Sequence, residues 1–161
     1  MPLDGAWPHG ADSVVLWESA PTSAISVATT TTFVWDCMTI PYDCNVIRAE
    51  AYYEVSSGID SDDTVGVTIS EHTDSGTNGV LSAATQTIVN ALPLLNNAGP
   101  YASGDLKAAA DSVIPVQLTI ADAGPIIRGK FLRFSLTATR VGSTVVITHL
   151  RVRLWVQPVY S

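Results

Sequence analysis

His9, His72 and His149 are the residues in this 161-residue chain best suited to moving protons near neutral pH. They assemble no recognisable reaction centre. The first sits in a stretch rich in Pro and Gly, the second opens the turn-like run HTDSGTNG, and the third lies inside an alternating apolar run. A phosphate-cradling glycine loop, a Gly-x-Ser-x-Gly elbow and a His-Glu-x-x-His pair are all missing from the sequence. Ser, His and Asp occur in any chain of this size, so their presence is no sign of a triad. The sequence therefore predicts a protein that is not an enzyme and requires neither metal nor cofactor.

Other residue types could carry chemistry of a different kind. Asp60, Asp62 and Asp63 could offer oxygens to a calcium ion, but the glycine and distal Glu of an EF-hand loop do not follow. A solvated acidic turn that keeps a strand end from pairing is the plainer reading. Cys37 and Cys44, the only cysteines, have no second pair and no nearby His to complete a zinc set. They are either a disulfide closing the MTIPYD loop or two small buried thiols. Arg133, His149, Arg151 and Arg153 form a basic cluster, read either as a solvated sheet face or as a subunit contact that pairs them with a neighbour's carboxylates. Of the four tryptophans, Trp17, Trp35 and Trp155 lie in strand-like runs. Packing in a core or an interface is commoner there than a sugar platform.

The elements that must position these residues follow from composition and periodicity. Apolar residues make up 47% of the chain and charged ones only 14%, with 11 Gly and 9 Pro, which favours strands and turns over helices. Two lysines against six arginines leave little of the usual solvated coat, as if much of the surface were covered. A net charge of −7 argues against a nucleic-acid partner, which would demand a basic groove. The start, MPLDGAWPHGAD, has neither the basic region nor the apolar run of a signal peptide, and no stretch of about twenty apolar residues could span a bilayer. A soluble protein made in the cytoplasm, with no membrane partner, is expected.

Residues 129–156 show the clearest pattern. Leu132, Phe134, Leu136 and Ala138 alternate with Arg133, Ser135, Thr137 and Thr139, and Leu150, Val152, Leu154 and Val156 alternate with His149, Arg151, Arg153 and Trp155. Two such runs around Arg140, Val141 and Gly142 predict a long antiparallel hairpin, with Leu132 opposite Leu150, Leu136 opposite Val146 and Arg133 opposite His149. Further strands are expected over 13–18, over 25–36 with a bend at the threonines, and over 47–55 with Ile47, Ala49, Ala51, Tyr53 and Val55 on one face and Arg48, Glu50, Tyr52 and Glu54 on the other, a polar row of both charge signs that is either solvated or makes specific contacts. More follow over 65–69, over 80–90, and as an edge strand over 114–120 demoted by Pro115.

The sum is an all-β, antiparallel, jelly-roll-like β-sandwich of about eight strands. Residues 13–161 form that single domain, preceded by an extended N-terminal arm, 1–12, whose Trp7 is expected to dock on a neighbouring chain.

The order of elements resembles one known group. A PYDCNVIRAEAYYEV strand, loops rich in Thr and Gly, and a closing GKFLRFSLTAT…STVVITHLRVRLWV pair look like small jelly-roll structural proteins of tailed bacteriophages, most of all the capsid decoration, or cement, proteins. The resemblance spans roughly residues 40–158. It implies a virion protein on the outer surface of the head, assembled as a homotrimer and bridging subunits of the major capsid protein. Tail or fibre components and carbohydrate-binding modules are the alternatives.

Overall fold

A computed structural model describes residues 14–27, 31–55, 64–95, 116–121, 124–139 and 145–159. Trp7 and the rest of the proposed arm, the Asp60, Asp62 and Asp63 cluster, and the Arg140–Gly142 loop lie outside the described residues.

Nine strands follow one another: β1 (Val15–Glu18), β2 (Ile25–Val27), β3 (Thr31–Thr39), β4 (Cys44–Val55), β5 (Thr64–Asp74), β6 (Leu81–Leu95), β7 (Val116–Leu118), β8 (Phe131–Thr139) and β9 (Val145–Pro158). They build two antiparallel sheets. The first has the order β1-β9-β4-β7, with β2 also on β9, and the second has the order β3-β8-β5-β6. Between β2 and β3 the chain passes from the first sheet to the second, and it then changes sheet at each later step except from β5 to β6, which pair with each other in the second sheet; this is the winding of a jelly-roll-like sandwich.

β1 and β2 are two pieces of one edge. Between them Ser19 and Thr22 maintain the pairing with β9, their N–H groups donating to Val152 and Leu150 carbonyls. In return the Val152 and Leu150 N–H groups donate to the Ser19 and Thr22 hydroxyls. Counted as one, the pieces leave four strand positions in each sheet. The total matches the eight expected but the division does not: the single strand expected over 25–36 is split between the sheets, with β2 on β9 in the first and β3 on β8 in the second.

The expected hairpin is overturned. β8 and β9 belong to different sheets: Leu132 lies opposite Met38 and Glu71, while Leu154 lies opposite Ala49 and Trp17. Both apolar rows nonetheless point inward, where Leu132, Phe134 and Leu136 of the second sheet join Leu150, Val152 and Leu154 of the first in a single core. Two apolar faces are covered more completely by stacking across a sandwich than by lying side by side in one sheet.

Bulges correct two further expectations. In β4, Val46 pairs with Val156 and Arg48 with Trp155, so Ile47 is the extra residue. It is 47% exposed rather than inward, while Ala49, Ala51 and Tyr53 are buried as expected. In β9, His149 takes a positive φ of 55° where the register shifts between Tyr52 and Glu54. That extra residue reverses the strand's parity, so Ile147 and Leu150, three apart, are both buried. Val146, expected inward opposite Leu136, instead lies opposite Ser26 of β2. His72, expected in a turn, sits buried within β5.

Candidate functional site

Once β4 pairs with β9, the polar parities of three strands meet on the outer face of the first sheet. The register sets Leu16, Trp155 and Arg48 in one row, Glu18, Arg153, Glu50 and Gln117 in the next, and Arg151 beside Tyr52 in a third. Each charge finds an opposite one. Glu18 accepts from Arg151 at 3.4 Å and, more closely, from Arg153, while Glu50 accepts from Arg48 and from the Tyr52 hydroxyl at 2.9 Å. Arg153 also donates to the Tyr52 hydroxyl at 3.3 Å, which links the two groups into one chain of contacts. Hydrogen bonding to Glu18 first, and then to Tyr52, pushes the Arg153 guanidinium up from its ordinary value, so it is charged at any working pH.

The rings of this face are covered by cations. The Arg48 guanidinium lies 4.6 Å from the Trp155 ring centre, and those of Arg153 and Arg151 lie 4.6 Å and 5.2 Å from that of Tyr52. A sugar that stacked on either ring would have to displace an arginine. Glu50 is buried and the other charged groups reach solvent; exposed ion pairs contribute about 0–1 kcal/mol and exposed cation–π contacts about 0.5–1 kcal/mol, so apart from the contacts of Glu50 the network adds little to fold stability. What it does is hold seven side chains in one arrangement before any partner arrives, which reduces the entropy lost on binding.

The basic cluster read from the sequence is thereby divided. Arg151 and Arg153 sit on this face, whereas Arg133 is on the second sheet, opposite Cys37 and Ser70. His149 occupies the exposed bulge of β9. Glu18, Arg48, Glu50, Tyr52 and Trp155 complete the face; the sequence placed them in strands, with Trp155 weighed as a packing residue, and did not bring them together as a site. For Arg48, Glu50 and Tyr52 the signal was the mixed-charge polar parity of β4, which became a site only when β9 turned out to be its neighbour.

A second polar cluster is buried. Glu71 continues the inward parity of Val67 and Ile69 yet ends it with a carboxylate that is 1% exposed. Its Oε1 accepts from the Lys130 ammonium at 2.7 Å and the Thr85 hydroxyl at 2.5 Å, and its Oε2 accepts from the Ile127 N–H at 2.7 Å. Burial pushes this carboxyl up, but the bonds from Lys130, Thr85, Ile127 and Gln86 together hold it below its ordinary value. Lys130 is delivered by a turn in which its N–H donates to the Ile127 carbonyl, with Gly129 at the positive φ of 79° that the third position of such a turn favours. The run GPIIRGKF thus approaches a phosphate-loop spacing only in letters. Its lysine is committed to Glu71, and the chain continues into β8 rather than a helix.

Neither cysteine is in a disulfide. Cys37 is exposed on β3, against the expectation of two buried thiols, and Cys44 is buried at the start of β4, where desolvation and then Asp43 push its thiol up to about 12. Grooves of about 430 Å³, between Pro21–Ser26 and Phe33–Trp35, and about 320 Å³, beside Ile47 and Gln117–Ile120, indent the sandwich. Among the described residues, no three His, Cys, Asp or Glu side chains gather where they could hold a metal ion, and no helix is long and apolar enough to cross a membrane.

No family model matches the chain, and no curated protein matches it. Among solved structures, the Gx strain of infectious bursal disease virus aligns with 92% of this chain at 10% identity and a TM-score of 0.45. The VP2 subviral particle of the same virus aligns with 93% at 12% identity and 0.45. This chain spans 37% and 38% of those chains. Likenesses at this level decide nothing about the present protein.

Proposed function

We propose that the chain is a virion structural protein, specifically a capsid decoration, or cement, protein of a tailed bacteriophage that binds the outer head surface and stabilises it by bridging subunits. The observation that carries this reading is the pre-ordered Arg48, Tyr52, Arg151, Arg153 and Trp155 face, which has the residue types enriched at protein contacts and lacks lysine. Jelly-roll sandwiches serve as capsid and lectin domains alike, so the fold supports the reading by analogy only. Capping of both rings by guanidinium groups favours a protein partner over a glycan. In this reading the protein is a homotrimer on the capsid surface, made in the host cytoplasm. Its partner is the major capsid protein, and it has no catalytic role, no cofactor and no contact with nucleic acid or membrane.

Purified particles provide the test. Mass spectrometry and antibody labelling should find the chain on the head exterior, and particles lacking it should lose their contents at a lower temperature. Absence from particles, or location on the tail alone, would refute the decoration role. Saturable binding on a glycan array would favour the carbohydrate-binding alternative.

A further inference from the structure

We propose that the tip of the β5–β6 hairpin is a self-modification site, at which Asn78 is converted by water to aspartate and isoaspartate through a cyclic imide formed with the Gly79 nitrogen. This chemistry needs no partner and is independent of the assembly reading above.

Asn78 is the one asparagine of the chain followed by glycine; Asn45, Asn90, Asn96 and Asn97 precede Val46, Ala91, Asn97 and Ala98. With no Cβ, glycine leaves its nitrogen open to the carbonyl carbon of the preceding side chain. Space around Gly79 is open as well, since nothing lies within 4 Å of where a Cβ would stand.

The turn leaves the reacting peptide unbonded. Beyond the Asp74–Leu81 pair, the Ser75 N–H and hydroxyl donate to the Val80 carbonyl at 3.2 Å and 2.7 Å, and the Val80 N–H donates to the Thr77 carbonyl at 3.0 Å. Asn78 and Gly79 are thus the central residues of a β-turn, with Gly79 at the φ of 75° that the type II form requires. Both are exposed. Among the described residues nothing donates to the Asn78 carbonyl or accepts from the Gly79 N–H. The peptide between them can therefore swing, with Gly79 compensating, and bring its nitrogen onto the Asn78 side chain without breaking a hydrogen bond of its own. Asn45 is exposed too, but Val46 is β-branched and fixed opposite Val156 in the β4–β9 ladder.

Hydroxide takes the Gly79 amide proton, and the nitrogen forms a bond to Asn78 Cγ. The Cγ–Nδ2 bond breaks, and the departing group takes a proton from water and leaves as ammonia, which restores the hydroxide. Nothing is oxidised or reduced. Water then opens the imide: cleavage of the new N–Cγ bond gives aspartate, and cleavage of the original peptide bond gives isoaspartate, whose chain runs through Cβ and Cγ. Either product moves the formal net charge from −7 to −8. The new carboxylate joins that of Asp74 on the same turn, where Asp74 Oδ1 accepts from the Gly76 N–H at 2.8 Å. Isoaspartate also lengthens the connection between β5 and β6, so the hairpin tip carries a mark that accumulates with the age of the molecule.

The test incubates the purified full-length chain at neutral and mildly alkaline pH and follows residue 78 by peptide mass spectrometry and by methyl transfer from a protein isoaspartyl methyltransferase. Aspartate and isoaspartate should both accumulate there, faster at the higher pH, while Asn45 stays unchanged. The Asn78→Gln variant, which would have to form a larger ring, should stay unmodified. Because an exposed turn with few contacts opens at little cost, the folded chain should convert within about tenfold of its rate in denaturant. No conversion at either pH, aspartate without isoaspartate, equal conversion at Asn45, or a folded chain slower than that limit would each overturn the proposal.

Discussion

Replacing Glu71 with Gln removes the one negative charge in a buried cluster whose donors are an ammonium, a hydroxyl and a backbone N–H. A carboxylate accepts on both oxygens, as Glu71 does here, whereas an amide offers one acceptor and turns two hydrogens toward a site already full of donors. Breaking a buried pair costs about 3–5 kcal/mol when the abandoned charge is dry. The Lys130 side chain keeps 26% of its exposure and can rehydrate, so the low end applies, about 3 kcal/mol. At about 2–4 °C per kcal/mol for a chain of this size, the midpoint should fall by roughly 6–12 °C. The pH dependence adds a sharper criterion. Because the folded pKa of Glu71 lies below its ordinary value, its contribution is fully present above the unfolded value, about 4.3, and is lost as pH falls through the folded one. Denaturant melts of the wild type and Glu71→Gln at steps from pH 7 down to 3 should thus show a stability difference that is constant down to about pH 5 and narrows below it. A difference that stays level to pH 3, or a variant as stable as the wild type at pH 7, would refute the assignment.

Phe134→Ala, at a site 1% exposed in the centre of the second sheet, should cost about 3–5 kcal/mol by leaving a cavity, read as a lower denaturant midpoint with an unchanged slope. Cys37 should react with a thiol reagent in the native protein, faster as pH rises because burial and then Asp36 push its thiol above the ordinary value, while Cys44 should react only after unfolding. At the β9 bulge, His149→Val should destabilise by about 1–2 kcal/mol because a β-branched residue resists positive φ, and His149→Gly should be the milder change; equal costs would mean that the bulge does not constrain the residue.

Alternation reports which way a side chain points and is silent about which strand lies beside it. That is why Leu132, Phe134, Leu136, Leu150, Val152 and Leu154 were legible as core while their partners were not. The hairpin turn placed at residues 140–142 was a consequence of assuming that β8 and β9 pair. Parity gave no support to that assumption, since two inward-facing rows satisfy burial equally well across a sandwich. Bulges were hidden for a related reason. Ile47 keeps the parity of Ala49, Ala51 and Tyr53 yet is exposed, and Ile147 breaks the parity of Leu150 and Val152 yet is buried, so alternation in a single sequence does not reveal the site of a register change.

The same gap explains the candidate face. Arg151 and Arg153 were legible as a polar row on β9, and Arg48, Glu50 and Tyr52 as a polar row on β4, but with almost a hundred residues between them the two rows looked like separate solvated faces. Had β8 been the partner of β9, Arg133 would have stood beside His149 and the cluster would have been purely basic, short of carboxylates and dependent on a neighbour to supply them. Pairing β9 with β1 and β4 instead brings Glu18 and Glu50 alongside the arginines, so the face neutralises most of its own charge and fixes its side chains before meeting a partner.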